Sequence, residues 1–295
     1  MELLVNSSKL KAKSLKLKLN KLASLIYHDI FDYPLTLGEF IKWESGTPLR
    51  QGFAGQASIK NKNGYYFLNG REGLVYKRLI RERISKRKLL IAKSAAKILR
   101  FIPTIKMVGV TGALAMRNAA EESDIDLMII TQKGTLWSTR LLSYLVTWLF
   151  GIKTRKPNDR NQKDKLCLNM WIDEDDLIWD RKDRNIYTAH EICQIVPLVN
   201  KNKMYERLVW KNKWVLEFWP NAIKVQSTEY KVQRSNFLRT MYYVLCTALE
   251  PVAFWFQYQY MKSKVTREIV TKTRAIFHPN DWGKVVVNRL QARAS

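Results

Sequence analysis

A chain of 295 residues with 46% apolar residues, 12 Gly and 8 Pro has the makeup and length of two or three small folded domains, which excludes an intrinsically disordered polymer. Lys and Arg number 51 against 26 Asp and Glu, a net charge of +25, so the natural partners are polyanions: RNA, DNA, nucleotide phosphates or anionic lipid. Cys167, Cys193 and Cys246 are odd in number and form no CxxC pair, which excludes a disulfide framework and a zinc knuckle and predicts a cytoplasmic protein.

At the N-terminus, Leu3 to Val5 is too short for a signal-peptide core. Residues 9–31 then read as a basic amphipathic helix, with Leu10, Leu15, Leu17, Leu22, Leu25 and Ile26 near helical spacing among lysines. Pro34 stops it, and Thr36 stands where an N-cap would start a second helix through Phe40 and Trp43 to Gly46. Arg50 to Ser58 has little periodicity, whereas Ser58 to Leu68 around Asn61-Lys62-Asn63-Gly64 has the pattern of a hairpin. Two helices, a degenerate third and a hairpin make residues 1–85 a winged-helix-like basic domain, whose role is either nucleic-acid binding or protein packing.

Arg71 to Arg100 reads as a long helix bridging to the next domain, with Arg78, Arg81, Arg83, Lys86, Arg87 and Lys88 as candidate phosphate contacts. Ile105 to Val110 is a β-branched strand entering Thr111-Gly112. Ala113 to Ala120 follows as a short helix, Ile125 to Thr131 as a buried strand, Leu136 to Phe150 as an apolar helix, and Leu166 to Ile172 as another strand. This alternation predicts an α/β (α+β) domain with a small mixed sheet over residues 86–195. Residues 196–295 lack strand signals and read as a helical C-terminal domain. Within it Met241 to Met261 is apolar and aromatic, but Glu250 and Pro251 divide it into halves too short to cross a membrane. No transmembrane span is predicted. Residues 237–264 suit either packing on a neighbouring domain or association with a membrane surface.

The chemistry concentrates between Val108 and Thr131. Asp124 and Asp126 are two apart, so a strand projects both carboxylates from one face while Ile125 and Leu127 enter the core. Paired hard carboxylates suit magnesium or manganese. Gly112 ends the preceding strand, where a missing side chain lets backbone N–H groups approach a phosphate. Gly112-Ala113 followed after ten residues by Asp124-Ile125-Asp126 resembles the signature of the DNA polymerase beta nucleotidyltransferase superfamily, and Ser123 before the acids fits its small members. That resemblance implies a nucleotidyltransferase domain holding a nucleoside triphosphate through Thr111, Gly112, Ala113, Arg117, Ser123 and Asn169, with metal on Asp124 and Asp126. Ala113 departs from the usual Ser or Gly, and Arg117 reads equally well as a surface charge.

The family also carries a third carboxylate on a later strand. Alternation along Leu166 to Asp173 places Asn169 and Asp173 on the outward face: Asn169 is mid-strand but neutral, Asp173 is acidic but terminal. Two functions stay open. One is transfer of a nucleoside monophosphate from a triphosphate to a hydroxyl acceptor, with Asp124, Asp126 and Asp173 as its acids. The other is nucleic-acid binding through the basic regions, with an inactive or weak α/β domain. His28, His190 and His278 read as isolated imidazoles.

Overall fold

In the computed structural model, residues 20–46, 58–156, 159, 161–223, 237–262, 268–277 and 281–293 are described. They form a mixed α/β structure around a six-stranded sheet. Strands β4 (Ile105–Val110), β5 (Ile125–Thr131) and β6 (Leu166–Asp173) are its centre, with β4 antiparallel and β6 parallel to β5. Most of their positions are apolar because helices cover both sides. β7 (Val196–Asn200) pairs antiparallel with β4, while β9 (Arg274–Ile276) and β8 (Ile269–Val270) extend the edge beyond β6. Residues 196–295 thus supply three of the six strands, which corrects their reading as wholly helical. Five residues or fewer leave little room for periodicity, and sheet pairing rather than local preference decides them.

One sheet face carries Val108, Val110, Ile125, Leu127, Ile129, Leu168 and Trp171. Helices α3 (Gly73–Leu99), α5 (Leu136–Leu149) and α9 (Phe237–Met261) cover it. The other face carries Met107, Met128, Ile130, Met170 and Ile172 and packs on α7 (Met204–Lys211) through Met204 and Leu208. Helix α9 runs unbroken through Pro251, so the division expected at Glu250-Pro251 does not occur. Glu250 turns inward and accepts hydrogen bonds from the Trp137 and Ser138 backbone N–H groups at 2.7 and 2.8 Å, which satisfies the first turn of α5. No helix among the described residues is long and apolar enough to cross a membrane.

At the N-terminal side, residues 20–29 are helical (α1), whereas residues 9–19 of the predicted basic helix lie outside the described residues. Helix α2 (Leu37–Lys42) starts where Thr36 caps the Glu39 N–H and Glu39 returns a bond to the Thr36 N–H. A three-stranded antiparallel sheet follows, of β1 (Leu35–Thr36), β3 (Tyr65–Leu68) and β2 (Ile59–Lys62). Its hairpin turns at Asn63 and Gly64, both with positive φ of 52° and 79°, the geometry an Asn-Gly pair adopts cheaply. Most of the degenerate third helix, residues 50–57, lies outside the described residues.

This module does not own its core. Leu25, Tyr27, Phe40 and Trp43 pack against Ala189, Ile192 and Cys193 of α6 (Ile186–Gln194), Val215 of α8 (Val215–Phe218), Trp219, and Val286 of α10 (Trp282–Ala292). Helix α3 likewise passes through the predicted boundary at residue 85 without interruption.

Candidate active site

Asp126 lies on the Met128 face of the sheet, where β4 ends and the chain turns into α4 (Gly112–Ala115). The Thr111 N–H donates to the Asp126 carbonyl at 3.1 Å, locking that turn beside the acid. Gly112 takes φ +60°, and a Cβ built there would stand 2.9 Å from Asp126 Oδ2. Only glycine fits both the left-handed backbone and that approach. Helix α4 has four residues rather than the eight expected.

Asp124, Asp126 and the thiol of Cys167 bring one potential ligand atom each to within 4.8 Å of one another. Burial, with the Asp124 charge second, pushes the Asp126 carboxyl up to about 7. Burial and the two acids also hold Cys167 well above the ordinary thiol range, so it stays protonated. Asn169 Nδ2 donates to Asp126 Oδ1 at 2.8 Å, while Asn169 Oδ1 is buried without a hydrogen-bond partner among the described residues. Turning the amide over would offer that oxygen to a cation at the acids in place of the bond to Asp126. The donor set therefore fits a divalent metal: two carboxylates and an amide oxygen suit magnesium or manganese, and the adjacent sulfur admits softer ions.

Asp173 is not part of this group. Register pairs Asp126 with Cys167 but Thr131 with Asp173, about 16 Å further along by strand rise. Between the Asp126–Cys167 and Met128–Met170 pairs, β6 has one residue more than β5, a bulge that reverses the alternation beyond it. Asn169 keeps the face expected of it and donates to Asp126, while Asp173, beyond the bulge, lies on the opposite face and accepts from the Gly134 and Asp175 N–H groups at 2.7 and 2.9 Å. The expected sharing of one face by Asn169 and Asp173 is thereby corrected. A bulge has no reliable mark in a run as uniform as Leu166 to Ile172.

Other predicted residues divide. Thr111, Gly112 and Asn169 gather at the acids, and Ala113 is exposed beside them. Ser123 spends its hydroxyl on the Ala120 carbonyl at 2.9 Å. Arg117 has φ +55°, and its charge acts on Glu39 and Arg78 of the N-terminal module rather than on the acids. No protein-family model, curated protein sequence or solved structure matches this chain.

Sequence reading missed three neighbours. Arg155 donates to Asp124 Oδ2 at 2.8 Å, placing a guanidinium where a cation is wanted; within the hydrophilic loop 153–165 nothing distinguishes it from other charges. Tyr187 and Glu191, both on α6, feel the Asp126 charge and line a pocket of about 500 Å³ with Thr111, Met128, Met170 and Trp179. Burial first, then Asp126, pushes Glu191 up to about 8. Nothing local marks it, since Glu191 shares its helix face with Tyr187, Thr188 and Gln194.

Proposed function

We propose that the protein is a divalent-metal-dependent nucleotidyltransferase, moving a nucleoside monophosphate from a triphosphate to a hydroxyl acceptor. The carrying observation is the convergence of Asp124 and Asp126, with Cys167 beside them, at the turn where Gly112 brings the backbone against Asp126, because paired carboxylates next to a glycine turn suit a metal and a phosphate. Asp124, Asp126 and the Asn169 amide oxygen would hold the metal, which when bound neutralises phosphate charge. The backbone of Thr111 to Ala113 lies against the phosphates. The Tyr187–Glu191 pocket takes the acceptor, and Glu191, with a carboxyl poised near neutrality, receives the hydroxyl proton. Incubation with each labelled triphosphate, magnesium or manganese, and total RNA or cell extract is expected to label one macromolecular class; no transfer to any class, with Asp124→Asn indistinguishable from wild type, ends this reading.

The second reading, a nucleic-acid-binding protein whose α/β domain is catalytically weak, is favoured by the neutral Asn169 at the third position and by Arg155 on Asp124. It loses support along α3. Arg78 is buried against Glu39 and Glu82, Lys88 is buried against Asp164, and the exposed Arg87 pairs with Glu121, leaving Arg83 and Lys86 as the exposed members of that predicted basic stripe that form no ion pair among the described residues.

A further inference from the structure

Helices α5 and α9 pack on each other and cover the same sheet face, so their exposed sides turn away from the sheet together. Those sides are apolar. Leu145 and Trp148 on α5, and Leu245, Leu249, Trp255 and Phe256 on α9, are each between 49% and 74% exposed. From Thr240 to Met261 the only charged residue is Glu250, and it faces inward to α5. A soluble monomer seldom leaves so long an apolar surface to water.

The ends of this surface are cationic. Arg239 precedes the apolar run, and Lys262 follows it. At the first end a pocket of about 590 Å³ opens between the ends of α3 and α9, lined by Arg100, Lys106, Lys201 and Arg239 with Tyr242 and Tyr243, and by no carboxylate among its described residues. Lys106 and Lys201 are half-buried and burial lowers both; Glu174 and then Arg239 act on Lys106, and Arg239 acts on Lys201.

We propose that the α5–α9 face docks on an anionic lipid bilayer, with Trp148, Trp255 and Phe256 in the interface and a lipid phosphate in the Arg100–Lys106–Lys201–Arg239 pocket. An aliphatic and aromatic face without interleaved cations suits acyl chains and the headgroup boundary; nucleic acid would require cations along the face as well as at its ends. The helix lies on the bilayer rather than crossing it, since crossing would strip Glu250 from the α5 N-terminus and Gln257 from the Trp137 carbonyl. Apolar burial and headgroup charge then act together, the two signals stable surface association requires.

The test is flotation of the full chain with phosphatidylcholine vesicles, with and without phosphatidylglycerol. The chain is expected to float with phosphatidylglycerol-containing vesicles. W148S with W255S and F256S lowers partitioning by about tenfold or more, and K106Q with R239Q removes the dependence on phosphatidylglycerol, while the α-helical circular dichroism of each variant stays that of wild type. The proposal is overturned if the full chain stays with the soluble fraction, as it would if its own residues covered the face. It is equally overturned if W148S/W255S/F256S floats like wild type, if the wild type without lipid is a dimer that this variant makes monomeric, or if K106Q/R239Q loses affinity for total RNA while keeping its phosphatidylglycerol dependence. The nucleotidyltransferase assay reads none of these arms, so each reading can fail alone.

Discussion

Asp126 is an acid placed where its charge is costly. Its carboxyl, ordinarily near 3.8, is held up to about 7 by burial and by Asp124, so the folded protein gains by keeping it protonated and loses stability as pH rises through that value. Asp126→Asn should therefore raise the unfolding free energy at pH 8, by on the order of 2 kcal/mol, while abolishing metal binding, as thermal melting with and without magnesium or manganese would show. A variant that is less stable, or that is still stabilised by metal, contradicts this account. Asn169 makes the complementary case. Its amide donates to Asp126 at 2.8 Å, so Asn169→Asp would set a third carboxylate beside the pair, raising metal affinity at pH 8 by about tenfold or more while costing stability without metal. Titration of metal against the two proteins decides it; equal affinities would remove Asn169 from the site.

Among the elements, α3 does most to hold the acids' approach in place. Lys88 is fully buried and donates to the Ser123 carbonyl at 2.7 Å and to Asp164 Oδ1 at 2.8 Å, tying the helix to the loops that lead into β5 and β6. Arg87 adds Glu121 to the same knot. Lys88→Met keeps the stem and deletes the charge, leaving Asp164 and a carbonyl without their buried donor, so unfolding in urea should show a loss of about 3 kcal/mol. Loosening at Ser123 should also weaken metal binding by Asp124, one residue on. A loss below about 0.5 kcal/mol would make the contact an ordinary surface ion pair. This use of α3 was not legible in its sequence: Arg78, Arg83 and Lys88 look alike there, and only packing separates the buried, paired members from the exposed ones.

Across the whole molecule, the shared core couples the N-terminal module to the rest through two histidines that the sequence presents as unrelated. His28 on α1 and His190 on α6 meet at 3.2 Å between their Nε2 atoms, enclosed by Tyr27, Trp43 and Trp219. His28 Nδ1 donates to the Ser24 carbonyl at 2.8 Å, so its Nε2 is an acceptor and His190 is the donor. Burial first of all lowers His28 from 6.5 to about 3 and His190 well below its ordinary value. Folding thus keeps both neutral where the unfolded chain would protonate them, giving stability that is complete above pH 6.5 and lost as pH falls towards 3. Asp126 and Glu191 act in the opposite sense, so the measurement is comparative. Between pH 6.5 and 4.5 wild type should lose stability relative to H28Q/H190Q by as much as about 1.4 kcal/mol per pH unit for each histidine, and parallel pH profiles would refute the coupling.

By itself the sequence determined what depends on neighbouring residues. Thr36 with Glu39 specifies a capped helix start, Asn63-Gly64 a hairpin turn, the apolar runs Ile105–Val110 and Ile125–Thr131 two buried strands, and the spacing of Asp124 and Asp126 a pair of acids on one face. Tertiary structure decided what depends on residues far apart. The bulge in β6 took Asp173 to the other face; β7, β8 and β9 became strands by joining edges of an existing sheet; Arg155 and Glu191 reached the acids from segments that carry no local mark. Caps, turns and alternation are fixed within a few residues by sterics and hydrogen bonding. Register, burial and the company a charge keeps are fixed by the free energy of the whole packed sheet, where one extra residue reverses every side chain beyond it.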